Sequence, residues 1–183
     1  INVDKRLYEQ DIFASKIHTQ MLIKKKIIPV KDGKKIIKGL DKIKGQIKKG
    51  KFEFKEKFED IHLNIEKRLY EIIGDSAGYM HTARTRHDQV ETDYKIWVKH
   101  SSLALIKELN SLMKNLISKA DKNVGTVMPG FTHLKNAQPV SFAHYLLAYY
   151  EMLKRDKQRF KNNLELINES PLGVAALSGT SYN

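Results

Sequence analysis

Residues 88–124, DQVETDYKIWVKHSSLALIKELNSLMKNLISKADKNV, decide the fold class of this chain. Apolar residues recur there at three- and four-residue spacing, which is the period of an amphipathic α-helix. The stripe consists of Trp97, Val98, Leu105, Leu109, Leu112, Leu116 and Ala120, widened by Ile106, Met113 and Ile117. At about 1.5 Å per residue, this helix would be roughly 50 Å long. Such a helix needs partners of comparable length, so the pattern predicts a helical bundle.

The rest of the chain is also predicted to be helical. A second long amphipathic pattern covers residues 140–168 and would pack antiparallel to the first. Shorter patterns cover residues 5–27, 34–49 and 58–73, and end near Pro29, Gly50 and Gly74. The predicted fold class is all-α. We expect a small N-terminal helical domain at residues 1–85 and the first long helices of a central bundle at residues 86–183.

The apolar faces of the two long helices are too wide to be buried by one helical pair. Either partner chains cover these faces, or the sequence is part of a longer protein. The chain begins with Ile1, and a small, glycine-containing apolar stretch runs from Ser170 to Asn183. We therefore expect a truncated bundle, as in a fragment of a longer protein.

Composition excludes several classes of protein. With 183 residues, 41% hydrophobic and 30% charged, the chain has the composition of a soluble globular protein. No apolar run approaches the roughly 18 residues that a membrane span requires. The absence of cysteine excludes disulfides, thiolate metal sites and cysteine nucleophiles, and it fits a reducing cytoplasm.

The net charge of +12 raises the question of an anionic partner. Lysines between Lys24 and Lys57 carry much of the excess, without the interleaved aromatic residues that stack on bases. We favour a solvated basic face over a nucleic-acid site. Neither a nucleic acid nor a membrane is expected as a partner.

The connection between the two long helices, residues 128–140, is a candidate site. It brings together a hydroxyl at Thr132, an imidazole at His133 and an amide at Gln138, and histidine titrates near neutral pH. Gly130 allows a tight turn, and Pro139 is predicted to open the next helix. The alternative is an ordinary loop histidine with no chemical role.

A second polar segment, residues 82–89, precedes the first long helix. Arg84 and Arg86 can bind carboxylates in a bidentate manner, and the start of a helix favours anions. The alternative is a capping segment with Asp88 at or near the N-cap and solvated arginines.

His62 and Glu66 lie four residues apart and share one helix face. Such a pair could transfer protons or bind a metal, but a structural pair is the favoured interpretation. Strong metal-binding spacings are lacking, so no metal is predicted.

Five segments together resemble the argininosuccinate lyase branch of the fumarase/aspartase superfamily. They are residues 4–8 (DKRLY), 59–66 (EDIHLNIE), 81–90 (HTARTRHDQV), 128–139 (MPGFTHLKNAQP) and 171–173 (PLG). The resemblance covers essentially the whole chain, and the motifs occur in the order typical of that branch.

The resemblance implies an all-α homotetramer whose long helices associate into a common core. It implies a carbon–nitrogen lyase of arginine biosynthesis that splits argininosuccinate into arginine and fumarate by anti elimination, in the cytoplasm and without metal or organic cofactor. The serine thought to be the base lies in a signature loop expected beyond residue 183, and each active site is expected to combine three subunits. The fragment alone should therefore be inactive.

The resemblance also implies roles for individual residues. His133 corresponds to the histidine that protonates the leaving nitrogen, and Thr132 to a substrate-binding threonine. Substrate-binding positions further include Thr85, Arg86 and Gln138. Supporting positions near the site are His62, His81 and Asp88.

One residue departs from the family pattern, because His87 stands where the family has a substrate-binding asparagine. We assign His87 to substrate binding, with altered substrate orientation as the open question. Two alternatives remain. One is a sister fumarate-releasing lyase, such as adenylosuccinate lyase, and the other is a catalytically inactive, crystallin-like structural protein.

Overall fold

The computed structural model describes residues 1–182 and contains two compact units. The first unit comprises Ile1–Trp97 together with the C-terminal residues from Glu169, and the second comprises Val98–Asn168. The division between these units falls within a helix. The domain boundary expected between residues 85 and 86 stays a prediction.

Three helices form most of the first unit. They are α1 (Tyr8–Lys24), α2 (Val30–Lys48) and α3 (Ile61–Ile73). Short 3-10 segments accompany them at Asp4–Leu7, Glu56–Phe58 and Gly74–His81. Helix α3 is delimited by its own sequence, because Asp60 accepts the Leu63 N–H at 2.6 Å and Gly74 ends the helix with a φ of 66°.

The core of the first unit lies between these three helices. Its fully buried aliphatic side chains are Ile12, Ile36, Leu40, Ile43, Ile61, Ile65 and Leu69. Gly39 permits the close approach of α2 and α3, since a Cβ at that position would lie 2.5 Å from Cδ1 of Leu69. The apolar stripes of α2 and α3 are therefore surfaces that the core buries, whereas Ile17 and Met21 on the apolar pattern of α1 are 50% and 39% exposed.

The second unit is a helical hairpin. Helix α4 (Arg86–Asp121) begins in the first unit, and α5 (Phe142–Leu166) follows after two short strands. The two helices run antiparallel: Ala120 packs near Ala143 at one end, and Lys99 Nζ donates to Asn168 Oδ1 at 2.7 Å at the other. The five predicted helices are thus present, with ends that differ by a few residues, and the all-α class is confirmed. Among residues 1–182, no helix combines the length and hydropathy needed to cross a membrane.

The connection between α4 and α5 is not the loop that the sequence predicted. It is an antiparallel β-hairpin of β1 (Val127–Thr132) and β2 (Lys135–Ser141). The two turn residues, His133 and Leu134, have φ values of 49° and 62°. Positive φ at both central residues is characteristic of a type I′ turn, whose twist matches that of paired strands.

Gly130 explains an irregularity in the register of this hairpin. Pairing shifts between Pro129 and Phe131, and a Cβ on Gly130 would lie 2.6 Å from the carbonyl oxygen of Gln138. Pro139 was predicted to open α5, and this was wrong: it lies within β2, opposite Pro129. Ser141 caps α5 instead, by accepting the His144 N–H at 3.1 Å.

Candidate functional site

The polar segment before α4 is held in one conformation by Asp88. Oδ1 of Asp88 accepts the backbone N–H of Thr85 at 3.1 Å, and Oδ2 accepts that of Ala175 at 3.2 Å. Asp88 is buried, so both bonds are shielded from water. This carboxylate therefore joins the helix start to the C-terminal segment of the same unit.

Arg86 is partly exposed and engaged with α3. Its Nη2 donates to Glu66 Oε2 at 2.9 Å, its Nη1 donates to Gln89 Oε1 at 2.8 Å, and its Nε lies 3.7 Å from Asp60 Oδ2. A guanidinium carries five N–H donors, so some remain available for a ligand. The structure thus brings Arg86 to the predicted His62–Glu66 face, where Glu66 pairs with Arg86.

His62 is 2% exposed and contacts two carboxyl groups instead of Glu66. Its Nδ1 lies 3.0 Å from Asp11 Oδ1 and 3.4 Å from Asp93 Oδ2. Gln89 Nε2 also donates to Asp11 Oδ1. His62 is therefore fixed at the centre of a buried polar cluster.

Two members of this cluster, Asp11 and Asp93, lie outside the candidate segments identified from the sequence, whereas Arg84 and Gln89 belong to the polar segment 82–89. Asp11 lies on α1, Arg84 lies before α4, and Gln89 and Asp93 lie on the first turns of α4. Gln89 and Asp93 are four residues apart, and this spacing places two polar side chains on one helix face. That spacing was the available signal, whereas nothing in the sequence links either residue to Asp11.

The pKa values of the two carboxyl groups in the cluster are shifted in opposite directions. Burial raises the pKa of Asp93 to about 10, and the neighbouring Asp11 carboxylate adds to the increase. Burial also raises the pKa of Asp11, but the hydrogen bond and charge of His62, the charge of Arg84 and the Gln89 bond together lower it. The environment thus favours an ionised Asp11 beside a neutral Asp93.

One atom each of Asp11, His62 and Asp93 lies within 4.8 Å of the others, which is close enough to consider a metal. However, Asp11 Oδ1 already accepts hydrogen bonds from His62 and Gln89. The buried Arg84 guanidinium adds a positive charge to the same cluster. The three side chains belong to a hydrogen-bonded network, and we do not assign them as metal ligands.

Other titratable groups surround the start of α4. Burial, followed by the charge of Arg84, lowers the pKa of His81. Burial also lowers the pKa of His18, whose Nε2 lies 2.8 Å from the carbonyl oxygen of Thr82. His87 is exposed on the first turn of α4. Desolvation thus favours neutral imidazoles at positions 18 and 81.

The other predicted site residues belong to the second unit. Thr132 ends β1, His133 occupies the hairpin turn and Gln138 lies on β2, and all three are exposed. Phe131 and Leu134 flank them with exposed fractions of 61% and 98%. Apolar side chains that are this exposed beside polar ones are typical of a surface that another protein surface covers.

A family model described as "Lyase" matches residues 1–183. The chain belongs to this lyase family. It is similar to the argininosuccinate lyase of Pelagibacter ubique (strain HTCC1062), with 56% identity over 183 residues, covering 100% of this chain and 40% of that protein. It is also 50% identical over 182 residues to the argininosuccinate lyase of Chelativorans sp. (strain BNC1), covering 100% of this chain and 38% of that protein. The chain spans about two fifths of the length of these relatives.

Solved lyase structures share this fold. The crystal structure of EDDS lyase in complex with formate matches 96% of this chain and 34% of its own with a TM-score of 0.84 and 28% identity. A fumarate lyase:delta crystallin from Brucella melitensis bound to cobalt matches 100% of this chain and 44% of its own, with a TM-score of 0.81 and 17% identity. The latter likeness supports the fold alone.

These comparisons confirm the resemblance to argininosuccinate lyases within the lyase family. The roles assigned to single residues stay predictions. Within the first unit the structure brings His62, Arg86 and Asp88 to the polar region around the start of α4, with Thr85, His81 and His87 on the same segment. Thr132, His133 and Gln138 share the hairpin of the second unit.

Proposed function

We propose that the full-length protein is an argininosuccinate lyase, which releases fumarate from argininosuccinate and leaves arginine. The observation that carries this proposal is the 49–56% identity to argininosuccinate lyases across the whole described chain. The reaction belongs to arginine biosynthesis, and we place it in the cytoplasm, which suits a chain without cysteine.

In this proposal His133 acts as the acid. Cleavage leaves electrons on the departing guanidinium nitrogen, and a positioned imidazolium can supply the proton that this nitrogen needs. The exposed hairpin turn can present His133 to a cavity that another surface completes. Thr132 and Gln138 offer hydrogen-bonding groups on the same hairpin and would orient the substrate.

The start of α4 would hold the substrate carboxylates. Thr85, Arg86 and His87 lie at the amino end of a long helix, where unpaired N–H groups and the dipole favour anions. His62, His81 and Asp88 support this segment: Asp88 caps it, His62 is buried and His81 is partly buried. The Arg86–Glu66 ion pair would fix the guanidinium in the substrate-binding orientation.

We also propose that the protein acts as a homo-oligomer, with a tetramer expected. Large apolar side chains on α4 and α5 are between 42% and 49% exposed: Leu103, Leu105, Leu112, Ile117, Leu147 and Met152. Monomeric proteins rarely leave contiguous apolar surface on long helices in water. Further copies of the same helices would cover these side chains.

The substrate assay tests this proposal. The purified full-length protein is incubated separately with argininosuccinate and adenylosuccinate, and fumarate and the second product are quantified. We expect equimolar fumarate and arginine from argininosuccinate, and no turnover of adenylosuccinate. Turnover of adenylosuccinate alone would identify a sister lyase, and no turnover of either by a folded protein would identify a structural homologue.

A further inference from the structure

The buried cluster around His62 holds two carboxyl groups, Asp11 and Asp93, whose oxygens are only partly hydrogen-bonded. Asp11, Gln89 and Asp93 are at most 1% exposed, and His62 and Arg84 are 2% and 7% exposed. They come from α1, α3 and the start of α4, so three separate segments meet there. A buried polar group without a partner is costly, and this cluster must therefore satisfy its charges internally.

Only some of the buried polar atoms in this cluster have a hydrogen-bond partner. Oδ1 of Asp11 accepts from both His62 and Gln89, whereas Oδ2 of Asp11 and both oxygens of Asp93 lack a hydrogen-bond partner among the described residues. A neutral imidazole has a single N–H, and the shorter distance from Nδ1 is to Asp11. Arg84 donates to Ser15 Oγ at 3.0 Å through Nη1, and its Nε and Nη2 have no hydrogen-bond partner among the described residues, so the guanidinium does not hydrogen-bond either carboxyl group.

A single additional proton would allow the two carboxyl groups to form a hydrogen bond with each other. One oxygen of Asp93 lies within 4.8 Å of one oxygen of Asp11. If Asp93 carries the proton, its O–H group can donate to the Asp11 carboxylate, and one proton then serves both carboxyl groups. The charges then balance as well, because Asp11 remains negative opposite the positive Arg84. Two ionised carboxylates so close together would repel each other in a region of low dielectric constant.

We propose that Asp93 is a protonated carboxylic acid in the native protein at neutral pH, that it shares its proton with Asp11, and that this acid pair positions the His62 ring. The titratable and charged groups facing Asp93 are Asp11 on α1, His62 on α3, and Arg84 and Arg86 at the start of α4. The competing arrangement places the proton on His62, as an imidazolium between two carboxylates. Asp93 is favoured because neither of its oxygens accepts a hydrogen bond from a described residue, and an ionised carboxylate without such bonds is costly to bury. The proposal does not depend on the reaction that the protein catalyses.

Infrared difference spectroscopy tests the protonation state directly. The carbonyl stretch of a carboxylic acid lies at a higher frequency than either band of a carboxylate. We expect the full-length wild-type protein at pH 8 to show an acid band that is absent from the Asp93→Asn variant. Absence of this band, or its persistence in Asp93→Asn, overturns the proposal, and so does a stoichiometric metal ion that is found in the purified protein and lost in Asp93→Asn.

Two amide substitutions test whether the two carboxyl groups differ in protonation, with Asp93 neutral and Asp11 ionised. Asparagine resembles a protonated aspartic acid, so Asp93→Asn should fold and keep the ring-nitrogen NMR shifts of His62 unchanged. Asp11→Asn should shift those signals, because it replaces an ionised acceptor of two hydrogen bonds. Failure of Asp93→Asn to fold, or a His62 signal that moves equally in both variants, contradicts the proposal.

Discussion

The two units of this protein differ in how completely they bury their apolar side chains. The largest fully buried side chains belong to the first unit, including Leu22, Leu40, Ile65 and Met80. In the second unit the most buried aliphatic side chains are Ala120, Met113, Ala143 and Leu146, with 4–8% exposure. The first unit thus contains a complete core, and the second presents apolar helix faces and a polar hairpin that need another surface.

Because of this difference, the stability of the first unit can be tested separately from the chemistry expected at the hairpin of the second unit. A unit with a closed core can hold a polar cluster such as that around His62 in a fixed geometry. An exposed hairpin holds its backbone in place but leaves the Thr132 and His133 side chains in water. We therefore predict that substitutions in the core of the first unit mainly reduce stability, whereas substitutions at the hairpin turn or on the exposed apolar helix faces of the second unit mainly reduce activity or assembly.

The largest expected effect is on catalysis at the hairpin. His133→Asn in the full-length protein should reduce kcat by about 10²–10⁴, which is the usual contribution of a positioned acid or base. Because His133 is exposed in the chain, the substitution should leave its folding unchanged. Steady-state kinetics with argininosuccinate and the thermal midpoint measure the two effects. Near-normal turnover would remove His133 from the mechanism.

Core truncation should show the opposite pattern. Leu40 is 0% exposed between α2 and α3, so Leu40→Ala should lower the free energy of unfolding by about 2–5 kcal/mol. Lys38→Ala, at an exposed position on the same helix, should change it by no more than about 0.5 kcal/mol. Denaturant unfolding of both variants measures the difference. Equal midpoints would show that the first unit does not depend on this core.

The acid pair predicts how stability depends on pH. The native pKa of Asp93 is about 10, against an ordinary value of 3.8, so the native state binds a proton that the unfolded state releases between these values. Its contribution to stability is complete below pH 3.8 and is lost as the pH rises toward 10, with a slope of at most about 1.4 kcal/mol per pH unit. Asp93→Asn should flatten this dependence and make the variant the more stable protein at high pH. Parallel pH profiles of the unfolding midpoint would contradict this.

A smaller effect is expected at the start of α5. Ser141→Ala removes the side chain that accepts the His144 N–H, and such caps contribute about 0.5–2 kcal/mol. Ser118→Ala, at an exposed position within α4, serves as the control. Amide hydrogen exchange of the first turn of α5 should accelerate only in Ser141→Ala. Unchanged exchange there would show that the hairpin, and not the cap, defines the start of α5.

The sequence predicted the helices because their apolar periodicity and their end signals are local properties. Asp60 and Gly74 delimit α3 from adjacent positions. The hairpin was missed because the residues with positive φ in its turn are His133 and Leu134, and type I′ turns are usually recognised by Asn-Gly or Asp-Gly. Pro139 misled the prediction because a proline can begin a helix or lie in an edge strand.

The candidate site was only partly predictable for a different reason. Its motifs identify the segments that contain Arg86 and His133, and the resemblance assigns their roles. The partners of His62 lie far away in the sequence: Asp11 is separated from His62 by 51 positions and from Gln89 by 78. Periodicity cannot reveal such contacts, because they depend on how α1, α3 and α4 pack.

Hydrogen–deuterium exchange of the full-length protein tests the central claim that the second unit depends on other copies. Two variants add two lysines to α4 at the same seven-residue spacing: one at the exposed apolar positions Leu105 and Leu112, the other at the exposed polar positions Ser111 and Ser118. We predict that only the Leu105→Lys/Leu112→Lys variant loses protection in α4 and α5, while α1–α3 keep theirs. Unchanged protection in that variant, or equal loss in both units, would contradict the account.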